Sequence, residues 1–335
     1  MRFITPIVLK VLVLSLINSN FFFAQTPTYQ FSRKINLPTG EGKWDYQKID
    51  DGKLYVSHAD RIHIIDLKTE KQIGEITGLN GVHGIAPVKD FNKGYITNGK
   101  DNSITVFDLN TYKILNIITI EGKKADAILY DKFSNRVFVF NNGSGNAIVI
   151  DPKTDKVLDK IEMGGGPEFA ASNEKGSIFN NNEESNEVFE IDSKTLKVKN
   201  KFSLAPNEIP TGLAIDVKNN RLFSVCRKTK TMVVMDATTG KIVATLAIGA
   251  GVDGVIYDPK LRLIITSNGE GNATIIQQVS ADKYTVSQTL TTSKGQKTIV
   301  FDAKNHNLFL TGANYQEDGK TPATGTFGVS VYSIK

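Results

Sequence analysis

Seven polar side chains recur along the chain at roughly 42-residue intervals: Asp45, His83, Asp126, Glu168, Thr211, Asp253 and Lys297. They share a place in a repeating pattern. Where the units are aligned on Asp50, Asp131, Asp216, Asp258 and Asp302, this column stands five residues earlier, and the position two residues after it is mostly Ile, Leu or Val. Brought to one place, four carboxylates, a histidine and a lysine are strongly coupled. Neighbouring carboxylates raise one another's pKa unless a cation sits among them. Such a group can serve a metal ion, a cationic ligand or general acid/base chemistry. It also suits a water-filled channel lined by solvated groups and partly neutralised by Lys297, Lys123 and Lys124.

A second column follows half a unit later: His58, Asn98, Asn141, Asn181, Cys226, Ser267 and Gly312. It is expected on the same face, although Asn is also an ordinary turn residue. His58 and His83 fall in adjacent units. With Asp45 and Asp126 they make a candidate histidine/carboxylate site for a divalent metal, the one cofactor this chemistry suggests. Four histidines with no short ligand motif fit two hydrogen-bonded surface histidines better than a metal site. His63, in mid-strand, and His306, in a turn on the opposite face, are not candidates. Trp44, beside Asp45, can stack on a ligand or pack between repeats. The segment from Asn314 to Thr326 is longer than its counterparts and reads as a lid, a binding loop or a tolerated insertion. No dinucleotide fingerprint, phosphate loop, nucleophile elbow or haem-attachment motif occurs, and no catalytic residue can be named.

The elements that must position these residues are short strands. Ile62–Asp66, Ile104–Asp108, Ala147–Asp151, Val188–Asp192 and Met232–Asp236 each end in an aspartate that opens a turn. Before each lie two further strands, as in Ala127–Tyr130 and Val137–Phe140, and after each lies a fourth, as in Lys156–Ile161. Units starting near Trp44, His83, Ala125, Pro167, Pro210, Val252 and Gln296 predict an all-β propeller of seven four-stranded antiparallel blades over residues 25–335. The last unit lacks a fourth strand, and Phe31–Leu37 is a strand without a blade. Pairing the two closes the ring and covers an edge that would otherwise invite aggregation. Units 6 and 7 lack the aspartate marker, so six or eight blades are the alternatives.

The repeats Tyr95-Ile96-Thr97-Asn98-Gly99 with Ile104–Asp108, Val137–Gly143 and Ser267–Gly271 resemble the YVTN-repeat, YncE-like bacterial propellers, and the resemblance runs over residues 30–335. It implies an exported propeller, in some members a surface or periplasmic binding protein. A relative is reported to bind single-stranded DNA, but the basic and aromatic interleaving that such binding uses is absent here.

Composition agrees. Residues 1–24 read as a cleavable signal peptide, with Arg2, Lys10 and an aliphatic run from Ile7 to Ile17, so a periplasmic or secreted location is expected, with no integral membrane domain after cleavage. An uncleaved membrane anchor is the competing reading, but the apolar run is broken by Lys10, Asn18 and Asn20 and is short for a span. No cysteine follows the segment to carry a lipid. The formal charge of +5 falls to 38 basic against 35 acidic side chains once Arg2 and Lys10 are set aside, too small an excess to expect nucleic acid as a partner. Cys226, the only cysteine, excludes an intramolecular disulfide and any multi-cysteine zinc site. The functional expectation is a cell-envelope binding or scaffold protein that takes a small molecule or an envelope protein at the channel mouth through the first column. The alternative is a metal-dependent hydrolase or lyase using Asp45, His83, Asp126, Glu168 and Asp253.

Overall fold

The computed structural model describes residues 27–37 and 42–335; the expected signal peptide at residues 1–24 lies outside them. The chain forms seven four-stranded antiparallel sheets arranged as the blades of a propeller. Blade 1 contains Trp44–Asp50, Lys53–His58, Arg61–Asp66 and Gln72–Ile76, and five blades of the same order follow, starting at Val82, Ala125, Pro167, Pro210 and Val252. Blade 7 comprises Ile299–Asp302, Asn307–Gly312 and Gly328–Ile334, completed by Tyr29–Asn36 as its outermost strand. Tyr29 pairs with Ile334 and Asn36 with Gly328, the closure that the unpaired strand in the sequence required. A single 3-10 turn, Lys89–Phe91, is the only helical element among the described residues.

The core is divided among seven apolar clusters, one in each gap between neighbouring blades. Tyr55 and Ile64 of blade 1 meet Ile96 and Phe107 of blade 2. Phe138 and Phe140 of blade 3 meet Ile178 and Phe189 of blade 4. The series ends where Ile35, Phe309 and Phe327 of blade 7 pack on Trp44, Leu54 and Val56 of blade 1. Every blade therefore buries both faces, which is why its middle strands are continuous β-branched and aromatic runs rather than alternating ones.

The aspartates act as the turn chemistry requires. Asp108 Oδ1 accepts the backbone N–H groups of Asn110 and Thr111, and Asp236 Oδ1 those of Thr238 and Thr239. Two strand starts differ from expectation: Val82 rather than His83, and Ile299 rather than Gln296. The second difference arises because Gln296 turns inward, donating from Nε2 to Ser330 Oγ and accepting from the Tyr332 hydroxyl.

Candidate functional site

The innermost strands of six blades carry the same irregularity. Pairing slips by one residue between Trp44 and Gln47, Val82 and Ile85, Ala125 and Ile128, Pro167 and Ala170, Pro210 and Leu213, and Val252 and Gly254. Each slip is a β-bulge, and in every case the bulge spans a residue of the first polar column. An extra residue in one strand bends it and re-aims the side chains it carries. The bulge thus turns Asp45, His83, Asp126, Glu168 and Asp253 toward the end of the central channel.

Neighbouring inner strands must also approach closely there. Gly84 and Gly212 directly follow column residues. A Cβ on Gly84 would lie 3.0 Å from the Asp126 carbonyl oxygen, and one on Gly212 would lie 2.7 Å from that of Asp253. The hydroxyl of Thr97 accepts the Gly84 N–H and donates to the Asp126 carbonyl, both at 2.7 Å. Thr298 Oγ1 donates to the Asp45 carbonyl at 2.8 Å.

Five of the seven column residues meet, and Glu168 stands beside them. His83 Nδ1 donates to Asp45 Oδ2 at 2.5 Å and lies 3.6 Å from Asp126 Oδ1. Lys297 Nζ lies 2.6 Å from Asp253 Oδ2 and 3.8 Å from Asp45 Oδ1, while Arg227 also donates to Asp253. Glu168 accepts from Asn142 Nδ2 at 3.2 Å and from the Tyr46 hydroxyl at 3.3 Å. Tyr46 of blade 1 and Phe169 of blade 4 bring their rings to within 5.5 Å between centroids and form a floor beneath the rim. Thr211 stands apart. It is buried, and its hydroxyl lies within hydrogen-bond distance of the Val225 and Val252 carbonyls.

The electrostatics divide the rim in two. On the side of blades 4 to 7, Asp253 is matched by Lys297 and Arg227, and Arg227 also pairs with Glu183 at 3.4 Å. On the side of blades 1 to 3, His83 lies between two carboxylates, with Lys297 at the far side of Asp45. Burial opposes charging of its ring, but the hydrogen bond to Asp45 and the charges of Asp126 and Asp45 outweigh burial and raise its pKa. Burial, then the charge of Asp45, raises Asp126. Burial, then the charges of Asp126, Glu183 and Asp253, raises Glu168 well above the usual carboxylate range.

The second column takes a different role. His58, Asn98 and Asn141 are buried and do not reach the rim. The Asn98 amide donates to Ser103 Oγ and Thr105 Oγ1, and that of Asn141 to Asn146 Oδ1, so they fasten the hairpin to the third strand. In blades 4 and 6 the equivalent residues are Asn182, opposite Pro167, and Asn268, opposite Val252, one place beyond Asn181 and Ser267. The runs Asn180-Asn181-Asn182 and Ser267-Asn268 let the alignment slide by one. His58 is also removed from the candidate metal group. Its ring stacks on Phe327 with centroids 3.9 Å apart, and its Nδ1 lies 3.4 Å from His63 Nε2. Asp45, His83 and Asp126 remain, with ligand atoms all within 4.8 Å of one another.

Glu183, Arg227 and Asn142 are rim residues that the repeat reading missed. They stand one place after the second column, where the backbone N–H of each bonds to the residue just ahead of the inner strand. Blades 1, 2, 6 and 7 have Ala59, Gly99, Gly269 and Ala313 there. This third column, bulky on one side and small on the other, was the available signal.

On the small side the rim opens into a cavity of about 990 Å³ lined by Asp45, His83, Lys297, Lys100, Lys320 and Tyr315 among others. The loop 314–326 forms one wall. Tyr315 bridges to Pro322, Gln316 N–H donates to the Thr321 carbonyl, and Asp318 caps the turn at Lys320 and Thr321. Trp44 packs under this wall, 5.6 Å from Phe327 and 6.4 Å from Tyr315 between ring centroids.

A family model described as a domain of unknown function (DUF5074) matches residues 83–215, from blade 2 into the first strand of blade 5. None of the curated proteins compared matches the chain. The match and the closed ring of seven blades fit a propeller family, and a propeller with a cupped rim suits a binding or scaffold role.

Proposed function

We propose that this chain is an exported binding propeller of the YVTN-repeat, YncE-like type that takes a small anionic molecule in the rim cavity. Export rests on the leader-like residues 1–24 and kinship on the Tyr95–Gly99 repeat. The reading is carried by one observation: the cavity is lined by Lys43, Lys100 and Lys320, with Lys297 paired to Asp253, against only Asp45 and Asp60. A concave site walled by low-dielectric protein focuses the field of such lysines on an entering anion. Tyr315, Trp44 and Pro322 supply apolar contact, the usual company of a few orienting charges in a small-molecule site.

The test is a thermal-shift and calorimetric screen of the purified chain against di- and tricarboxylates and phosphate monoesters. At least one is expected to bind with a salt-sensitive affinity and to lose roughly tenfold or more in Lys100→Glu with Lys320→Glu. Failure of every anion to bind at low salt sinks the reading. A second reading, a hydrolase or lyase, is favoured by one arrangement: Glu168, its pKa raised by burial, lies at the edge of the floor, hydrogen-bonded to Asn142 and Tyr46. NMR of the bound molecules in the same screen separates the two, because catalysis alters the ligand.

A further inference from the structure

We propose that Asp45, His83 and Asp126 form a site for one divalent transition-metal ion, open on one side to the rim cavity. The inference rests on the rim being a binding site and adds a ligand class, a nitrogen- and oxygen-preferring cation, to the anion site proposed above.

Asp126 carries the case. Its side chain is 8 % exposed, yet among the described residues no donor hydrogen-bonds to its carboxylate; the nearest charged partner is His83 Nδ1 at 3.6 Å. Buried carboxylates are almost always satisfied by protein donors, by water, by a counter-ion or by a metal. The other buried acids of the rim follow that rule. Asp253 has Lys297 and Arg227, and Glu168 has Asn142 and Tyr46. Asp126 accepts no such hydrogen bond from a described residue, and it faces the one imidazole of the rim.

The geometry suits a small ion. Two ligand atoms each about 2.1 Å from a metal are about 3–4 Å apart, and those of Asp45, His83 and Asp126 already lie within 4.8 Å of one another. The imidazole presents the correct edge. Its Nε2 and Cδ2 pack against Gly99, where a Cβ would come within 2.8 Å, so Nδ1 faces the carboxylates. Backbone positions are fixed as well: Thr97 holds the Asp126 carbonyl, Thr298 the Asp45 carbonyl, and all three residues sit on bulges of adjacent blades. One nitrogen and two carboxylate donors suit Zn²⁺, Co²⁺ or Mn²⁺ rather than a soft cation. Three protein ligands leave a position free, and here it faces the lysine-lined cavity. An anion can therefore reach the ion and the lysines together.

The experiment uses the full chain without a polyhistidine tag, stripped with a chelator and titrated with ZnCl₂ and MnCl₂ by calorimetry and by competition with a chromophoric chelator. One equivalent per chain is expected. Asp126→Asn and His83→Gln should each weaken the tighter ion by roughly 100-fold, while His306→Gln, on the opposite face, should leave affinity unchanged. Should those variants fail to fold, Co²⁺ added to the unaltered chain gives the answer: d–d absorption and paramagnetically shifted resonances of a single histidine support the site. Absence of stoichiometric binding by any of the three ions overturns the inference, as does binding that survives both substitutions or a Co²⁺ spectrum without histidine. Anion binding by the metal-free chain with no metal uptake sinks this inference alone. Metal uptake with no anion binding sinks only the anion reading.

Discussion

The His58 ring lies flat on Phe327 and its neighbour His63 is wholly buried, so two imidazoles lie side by side between blades 7 and 1. Burial first, and then the charge of His63, pushes His58 down to about 4. His63 is lowered by burial too, against the raising effects of Gln72 and Glu75. Arg61 and Asp60 act on the pair with opposite signs. The sign of the consequence is fixed. The unfolded chain takes up protons below pH 6.5, whereas folded His58 refuses one until about pH 4. The contribution is therefore whole above pH 6.5 and is lost as the pH falls through that window. Urea unfolding at pH 7.5 and pH 4.5 is expected to differ by on the order of 2 kcal/mol more in the parent than in His58→Leu. An equal pH dependence in the two proteins would refute the assignment. The same residue marks a limit of the sequence. A recurring polar column is visible as a column, but whether it points to solvent or into a hairpin depends on which partner is nearest. For Asn98 that partner is Ser103, for His58 it is Phe327, and spacing records neither. Arg227 and Glu183 were hidden for a related reason: they pair with each other across blades, Arg227 also with Asp253, and each alone resembles any surface charge.

At the scale of the strand, the alternating apolar and turn residues place six of the seven blades to within one residue, because each strand must fill two blade gaps and each turn needs an Asx or Gly. The bulges left no such mark. A bulge is a relation between two strands, and the inner strand's sequence looks the same whether paired in register or slipped by one. Gly212 is its closest signature. It follows the column residue in blade 5, where the Asp253 carbonyl lies against it, whereas blade 3 tolerates Ala127 at the equivalent position. Gly212→Ala forces a methyl group to 2.7 Å from that oxygen, so the two inner strands must separate. Overpacking of this kind is expected to cost about 1–3 kcal/mol by urea unfolding. It should also shift the chemical environment of Asp253 and Arg227 at the rim. A fully stable Gly212→Ala would mean that the inner strands are not held in close approach there.

At the scale of the molecule, closure decides how the blades unfold. Seven blades in an open array have six shared apolar gaps; the ring has a seventh, between blades 7 and 1, and it depends on the strand Tyr29–Asn36. Open repeat arrays fray from their ends because a terminal repeat has one neighbour. In the ring no blade is terminal, so loss of any gap exposes two apolar faces at once and unfolding should be all-or-none. Trp44, the only tryptophan, sits in the closing gap against Phe327 and reports on it directly. Ile35 lies in the same cluster, 7 % exposed and opposite Val329. Ile35→Ala is expected to lower stability by about 2–4 kcal/mol. If the ring is one cooperative unit, the Trp44 fluorescence and far-UV circular dichroism transitions in urea move together. A fluorescence change that precedes the loss of β-structure would show that the closing strand detaches first and leaves six gaps standing. The rim would then be dismantled from the Asp45 side, because Asp45 follows Trp44 in the strand that the closure holds in place.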